Sequence, residues 1–476
     1  MRSTTVQFGP WLPDDDKNIV PGSQGEQLNA QEVPLAEAKN VEFTASAWRL
    51  YQPFAATSGT LAGVPVDAIT VDYNGAILTF AAYNGKLYKI DGATVTDVSK
   101  SGGYNTTAAW DFQRFGDCLI ATNGVDAPQD FDLGTSTAFA DLAGTPPHAT
   151  VVGVVRDFVV FGDTSSYSYP DGSTGSTYRV HWSAIANPTS WPVPLTQAAR
   201  AAQSGSQDNY ADYGDVMAVT EGEEFGLIFQ QRAIVRMRYI GGDPVFEFYT
   251  FERKRGLLAK RAYAQIGNLI FFLSGDGFCM TDGNQVTPIG YGKVNRWFFA
   301  NCADTSKVRA AIDTNKQCVY WSFPSTASGA NDRQIIYNFA EGRWSYAVDT
   351  TYAMFQGLTA GQHIPQAFDA SGNLGTLSGS QSDGEIETKQ FRLVPNMRSL
   401  VSRARPMTDA QCTLAIAATL SDDDTQTFSS YASRQSRSRT IPLRANGYIH
   451  ALNMKLGSAA SYAQGVSLDF TPRSSR

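Results

Sequence analysis

The chain has 476 residues, 42% of them apolar and only 17% charged, so it holds ample material for packed cores and is not a disordered polymer. Aromatic residues make up 12% and Gly occurs 42 times, a composition that favours strands and tight turns over helix bundles. The formal net charge of −7 argues against a chain that works as a whole by neutralising nucleic-acid phosphates.

In chain order, the opening MRSTTVQFGPWLPDDDK lacks the apolar core of a secretory signal and turns acidic at Asp14, Asp15 and Asp16. No window anywhere approaches the ~18 apolar residues of a membrane helix. The best run, 151–161, is broken by Arg156 and Asp157. These features predict folding in a cytoplasm. Residues 8–34 are rich in Pro, Gly, Asp, Asn and Gln and show no period. Residues 1–55 therefore read as an extended N-terminal arm, with Phe8, Trp11 and Leu12 placed to pack on another surface.

From residue 56 onward a phrase recurs: a short apolar run, a Gly/Asn/Asp turn, and a second short apolar run. Its seven copies start at Leu78, Cys118, Phe158, Gly226, Leu269, Cys318 and Gln366, separated by 40, 40, 68, 43, 49 and 48 residues. Periods of about 40–50 residues built from short strands point to propeller blades of four strands each. A lone blade cannot cover both its faces; stacking blades round an axis does so and leaves few open edges. The GH…WD signature of WD40 blades is absent, so the count is six to eight, with seven preferred. An irregular assembly of β-sandwiches is the competing architecture. The 68-residue interval contains 167–177, YSYPDGSTGST, which reads as an inserted loop. Loops 165–177 and 194–213 are the candidates for contacts with neighbouring copies or appendages.

At 376–384 the sequence TLSGSQSDG reads as a linker. Beyond it, runs at 391–394, 412–418, 439–443, 448–454 and 466–470 have the alternation of strands in a small antiparallel sandwich. The expected fold is thus all-β: an arm over 1–55, a β-propeller of about seven blades over 56–384, and a C-terminal β-sandwich over 385–476. Charge divides at the same place. From Lys389 onward twelve Lys/Arg stand against five acids, a surplus of +7, which leaves −14 on the first 388 residues. Such asymmetry concerns partners and steering, not the fold.

Signals for chemistry are sparse. Cys118, Cys279, Cys302, Cys318 and Cys412 are odd in number, widely spaced and without a CxxC pair, so free thiols buried on strands are expected. None of His148, His181, His363 and His450 belongs to an HExxH or lies at ligand spacing from another. His181, in RVHWS, reads as a structural histidine on a strand. No GxSxG nucleophile elbow occurs, and Gly241-Gly-Asp-Pro244 lacks the Lys-Ser/Thr of a phosphate loop. Asp14–Asp16 and Asp422–Asp424 are consecutive, unlike a calcium loop, and read as solvated surface acids. Carboxylate pairs drawn from separate blades stay open for glycoside hydrolysis, although the repeated Asp boxes of sialidase propellers are missing. Arg434, Arg437 and Arg439 form the densest basic cluster, with Tyr431 and Tyr448 the nearest aromatics. That cluster suits an acidic protein neighbour better than a stacked single strand. No catalytic, cofactor-binding or metal-ligating residue is assigned, and no cofactor is expected.

Several phrases, in order, carry a resemblance. They are the run from Trp110 to Gln129 (WDFQRFGDCLIATNGVDAPQ), His181-Trp-Ser-Ala184 with Asn187-Pro-Thr-Ser-Trp191, Phe225-Gly-Leu-Ile-Phe229 with Ala233-Ile-Val-Arg-Met237, and Gly275-Asp-Gly277 with Ile289-Gly290. Tyr337-Asn338 with Gly342-Arg-Trp344, and Arg444-Ala-Asn-Gly-Tyr-Ile-His450, follow. The opening Phe8-Gly-Pro-Trp-Leu-Pro13, Ala38-Lys-Asn-Val41 and Tyr51-Gln-Pro53 fits as well. Together they resemble the tail hub or nozzle proteins of short-tailed bacteriophages, the packaged-DNA stabilisation family, over nearly the whole chain. A large insertion found in some longer nozzles has no counterpart. The resemblance implies a non-enzymatic virion protein that forms a ring, usually of six copies, below the portal and its adaptor. It implies tail fibre, spike or needle neighbours, genomic DNA passing without sequence-specific binding, and no membrane. An acidic or neutral lumen is expected, since a like-charged wall lets a duplex slide. A propeller that binds or cleaves carbohydrate for host attachment is the alternative.

Overall fold

Asn74-Gly75 and Asn84-Gly85 carry positive φ at both residues, 52° and 82° in the first pair and 48° and 69° in the second. That is the two-residue hairpin geometry for which Asn-Gly is favoured. These turns join Asp67–Tyr73, Ala76–Tyr83 and Lys86–Asp91, and Thr94–Asp97 completes an antiparallel four-stranded sheet. The computed structural model describes all residues except 16–18, 21–31, 171, 328, 360, 381–382, 396, 410, 422–423, 436 and 474–476.

The same unit recurs four more times. Sheet 2 comprises Asp111–Phe115, Cys118–Thr122, Gln129–Asp132 and Ala140–Asp141. Sheet 3 comprises Val151–Val155, Phe158–Gly162, Arg179–Trp182 and Gly205–Asp208. Val216–Val219, Phe225–Gln230, Ile234–Tyr239 and Phe246–Glu252 make sheet 4. Tyr263–Ile266, Leu269–Ser274, Gly277–Thr281 and Val286–Pro288 make sheet 5. First strands of sheets 1 to 4 pack one beside the next, and that of sheet 5 packs beside Arg309–Asp313. The result is a propeller-like arrangement.

Every repeat start falls on the second strand of a four-strand unit, because that strand is apolar on both faces. Phe158–Gly162 is buried at every residue, as is Cys318–Phe323. The first five starts lie in sheets 1 to 5. The last two lie in a larger curled sheet that holds twenty strands among the described residues. There, Arg309–Asp313, Cys318–Phe323, Asn331–Asn338 and the front of Arg343–Thr359 run antiparallel in sequence order. The rear of Arg343–Thr359 then pairs with Gln362–Phe368, next Asn373–Leu377, and finally Phe54–Thr60 from the start of the chain. Among the described residues separate blades therefore number five, not the seven expected. One 17-residue strand serves both remaining units, bending where Ala353 takes φ 45° and the register shifts between Tyr352 and Phe355.

The two ends of the chain depart from the expected layout in one common way. Arg2–Trp11 is no free arm: it lies parallel to Glu32–Lys39 and antiparallel to Ala463–Arg473. Glu32–Lys39 in turn pairs with Gly384–Thr388. The strands after 385 therefore do not form a separate sandwich but share the curled sheet with the N-terminal strands. Arg398–Thr408 lies between Ile441–Gly447 and Ala463–Arg473, and Cys412–Thr419 pairs with Ile449–Leu456. Apolar side chains from both ends enter one core, including Val6, Phe8, Trp11, Ile386, Val401, Leu452 and Val466.

Asp14, expected to be a solvated acid, is 7% exposed. Its carboxylate accepts the backbone N–H groups of Arg296 and Trp297 (2.7 and 2.9 Å) at the start of helix Asn295–Asn301, where free N–H groups want an acceptor. Asp424 is exposed, as expected, and Asp16, Asp422 and Asp423 lie outside the described residues. Segment 194–213 is more than a loop: it holds helix Gln197–Ala202 and the fourth strand of sheet 3. Of the five free thiols, Cys279, Cys318 and Cys412 are buried on strands. Cys118 is half-buried, and Cys302 is half-buried at the end of a helix.

Candidate functional site

The first strands of the sheets surround two cavities, of about 800 and 360 Å³. Both are lined by Asp67, Arg261 and Tyr263, so these residues form the partition between them. Asp67 and Asp111 each open the first strand of their sheet. Arg261 sits just before the first strand of sheet 5, and Arg309 opens the next unit. Sheet geometry thus delivers four charged side chains to one axis, each from a different unit.

Arg261 is the centre. Its Nη2 is ion-paired with Asp67 and also donates to the Trp110 carbonyl (2.7 Å), while Nη1 donates to Asp111 Oδ1 at 3.0 Å. Arg309 Nη1 donates to the other Asp67 oxygen at 3.2 Å, and Nη2 donates to the Val66 carbonyl at 2.6 Å. Backbone N–H groups complete the carboxylates: Ala68 N–H on Asp67 and Val152 N–H on Asp111, each at 2.9 Å. Beside this cluster Lys260 Nζ donates to Thr150 Oγ1 (2.6 Å), which donates to Asp163 (2.7 Å). Lys260 and Asp163 themselves are 3.8 Å apart.

Burial opposes the charged forms of Asp111, Arg309 and Lys260 and prevails there, whereas at Arg261 the neighbouring carboxylates win. Burial pulls the Asp111 carboxyl above its usual range, against the pull of Arg261. For Arg261 burial is outweighed by Asp111 and Asp67, and the guanidinium is held even more firmly protonated than usual. Burial lowers Arg309 and Lys260, with Asp67 and Asp163 acting against it. The Arg261 side chain keeps 29% of its surface exposed, while Asp67 keeps 5%. Chemically, the arrangement is a cross-brace. It fixes both carboxylates by guanidinium forks and bars the axis between the two cavities.

None of these four residues was singled out by sequence reasoning. Their signal was position: each stands about one strand upstream of a repeat start, a charged residue where the neighbouring pattern is apolar. His181 is where the sequence put it, on a strand and 2% exposed. Its Nδ1 lies 3.3 Å from the Tyr169 hydroxyl, and burial, with Arg179 nearby, lowers its pKa to about 3. His450 is also buried, its Nε2 2.7 Å from Ser399 Oγ, and burial lowers it to about 4. Among the described residues no group of three His, Cys, Asp or Glu is placed to hold a metal ion. Nor is any helix among them long and apolar enough to cross a membrane.

No family model matches the chain, and no curated protein matches it. Solved structures with a similar outline share little sequence with it. The extracellular domain of the hybrid two component system BT4673 from B. thetaiotaomicron is 10% identical over 75% of this chain and 44% of that one, with a TM-score of 0.43. The chain thus spans less than half the length of that domain. The computationally designed Ika8 protein is 11% identical over 67% of this chain and 98% of its own, TM-score 0.40. YCF48 bound to D1 peptide is 10% identical over 68% and 93%, TM-score 0.40.

Proposed function

We propose that the chain is a structural subunit of a bacteriophage tail. In this reading it is a hub or nozzle protein that rings the DNA path below the portal and its adaptor and gates it for genome retention and ejection. The observation on which the reading leans most is the barred axis. A toroid whose own bore is crossed by Arg261, Asp67, Asp111 and Arg309 offers no passage to a duplex. A conduit must then lie between copies, which requires a ring with heterologous interfaces that close. The ordered phrases that resemble those of tail hubs support the same reading. So does the net charge of −14 before Lys389, which suits a wall that a duplex slides past.

The two antiparallel units that share Arg343–Thr359 act as the sixth and seventh wedges, since their strands follow sheet 5 and pack back on sheet 1. The chain has no enzymatic role in this reading. The carbohydrate-cleaving alternative finds convergent carboxylates and an arginine in Asp67, Asp111 and Arg261, the feature that would favour it, but Arg261 already engages both acids.

Electron microscopy of the assembled particle tests the proposal. The expected result is a ring, of six copies, joined to the portal adaptor, with a lumen wall poor in Lys and Arg. Images with no ring of this chain, or sugar release by the isolated protein from a polysaccharide, would replace it.

A further inference from the structure

The C-terminal part of the curled sheet turns an arginine-rich face to solvent. On Arg398–Thr408 the alternation buries Ala404, Pro406 and Thr408 and exposes Arg403, Arg405 and Met407. On the paired strand Ile441–Gly447 it exposes Pro442, Arg444 and Asn446. Arg403 faces Pro442 across one side and Asp469 across the other, so these residues share that outer face. Arg398 and Arg473 oppose each other at its end. Exposed Arg437 and Arg439 come from the segment just before Ile441. Arg403, Arg405, Arg437, Arg439, Arg444 and Arg473 form no ion pair among the described residues, and Asp469 is the one acid set among them.

The propeller presents the opposite charge. Turns between first and second strands fall on one face, where Asp72, Arg114, Glu221 and Gly267 line the smaller cavity together. In sheet 4 that turn carries Glu221, Glu223 and Glu224, all exposed. Glu221 takes a hydrogen bond from Gln113 Nε2 (3.1 Å), and none of the three has an ion pair among the described residues. Asp117 and Asp157 stand on the equivalent turns of sheets 2 and 3, near Arg114 and Arg156 respectively (3.8 and 3.5 Å).

We infer that the arginine face of one copy docks on the acidic turn face of the next copy, with the Glu221-Glu223-Glu224 turn at the contact. Basic and acidic surfaces lie on different parts of the same chain, so the contact is head-to-tail, the type that closes rings. Guanidinium forks suit carboxylates geometrically, and opposite potentials steer such encounters. A passing nucleic acid fits the arginine face less well. The face has no exposed aromatic ring on its three strands for base stacking, and a gripping surface would hinder a sliding duplex. The inference deepens the ring reading and rests on it.

Charge reversal tests it on the full chain. R403E/R405E/R444E and E221K/E223K/E224K are prepared separately, and self-association is followed by sedimentation at low and high salt. Wild type associates at low salt and dissociates as salt rises. Each variant alone associates at least about tenfold more weakly, equivalent to roughly 1.4 kcal/mol. An equimolar mixture of the two recovers association, because each supplies the face that the other lacks. Failure of the mixture to recover, or a wild-type chain that stays monomeric at low salt, overturns the inference. So does an arginine variant that loses binding to a short DNA duplex while still associating like wild type. Rings seen in particle images alongside a failed mixture would remove only the assigned faces; absence of rings would remove the ring reading by itself.

Discussion

At the scale of single residues, the buried histidines make the fold sensitive to acid. His181 and His450 are held neutral, with pKa values near 3 and 4 against a usual 6.5. The folded values lie below the unfolded ones, so their contribution is complete above pH 6.5 and is lost as pH falls toward the folded values. Between pH 6.5 and about 4 the unfolded chain binds two more protons at these sites, and stability falls by about 1.4 kcal/mol per pH unit for each ring. His181→Phe separates the two. Tyr169 and Trp191 already pack on the ring, and His181 Nε2 has no partner among the described residues. Urea midpoints measured from pH 7 to pH 4.5 are expected to show about half the wild-type slope from this pair in His181→Phe. An unchanged slope would show that His181 does not titrate with unfolding. Comparison with wild type cancels Asp111, whose raised carboxyl works in the opposite direction.

At the scale of elements, the cross-brace converts strand order into a ligature across the axis. Replacing Arg261 with Met leaves Asp67 and Asp111 facing each other without their shared counter-ion, although Arg309 still holds Asp67. Breaking such a pair costs about 3 kcal/mol, the low end for buried pairs because the Arg261 side chain is partly exposed. Asp111→Asn in the same background is expected to recover part of that loss, and denaturant unfolding of the four chains of the cycle gives the coupling. An additive cycle would mean that the two residues do not act together. How far such elements can be read from sequence depends on pattern strength. The second strands are apolar on both faces, so the period was visible at Leu78, Cys118 and Phe158 and led to a propeller-type fold. Arg398–Thr408 was missed because its outward residues are Arg403 and Arg405 and its inward ones include Pro406 and Thr408. Its apolar alternation is therefore diluted. Arg2–Trp11 reads as an arm because its antiparallel partner lies more than 450 residues later, at Ala463–Arg473, and its parallel neighbour Glu32–Lys39 follows a stretch with no period. Local periodicity carries no record of such pairing. The axial charges were illegible for a related reason: Asp67, Asp111, Arg261 and Arg309 meet only after the sheets have been arranged round the axis.

At the scale of the whole molecule, closure depends on a seam between early and late chain. Phe54–Thr60 pairs with Asn373–Leu377, so the last unit is completed by the first strand to reach it. Asp349 pins the lead-in to that strand: one carboxylate oxygen accepts both the Tyr51 hydroxyl and the Phe54 backbone N–H at 2.8 Å. Tyr51 is 1% exposed, so its hydroxyl has no ready access to water if the acceptor is removed. Asp349→Ala therefore takes the carboxylate acceptor from both the Tyr51 hydroxyl and the Phe54 N–H and is expected to cost about 2 kcal/mol, whereas Asp349→Asn keeps an amide oxygen at the site and should cost about 1 kcal/mol or less. Because the seam joins the two ends of the propeller, the Ala variant should also become cleavable by protease near Gln52-Pro53 before the five separate sheets are cut. Equal stability of the Ala and Asn variants, or first cleavage within sheets 1 to 5, would show that closure is held elsewhere. The rival closure, the pairing of Arg2–Trp11 with Ala463–Arg473, involves neither strand of this seam and would leave the 51–60 segment protected in either variant.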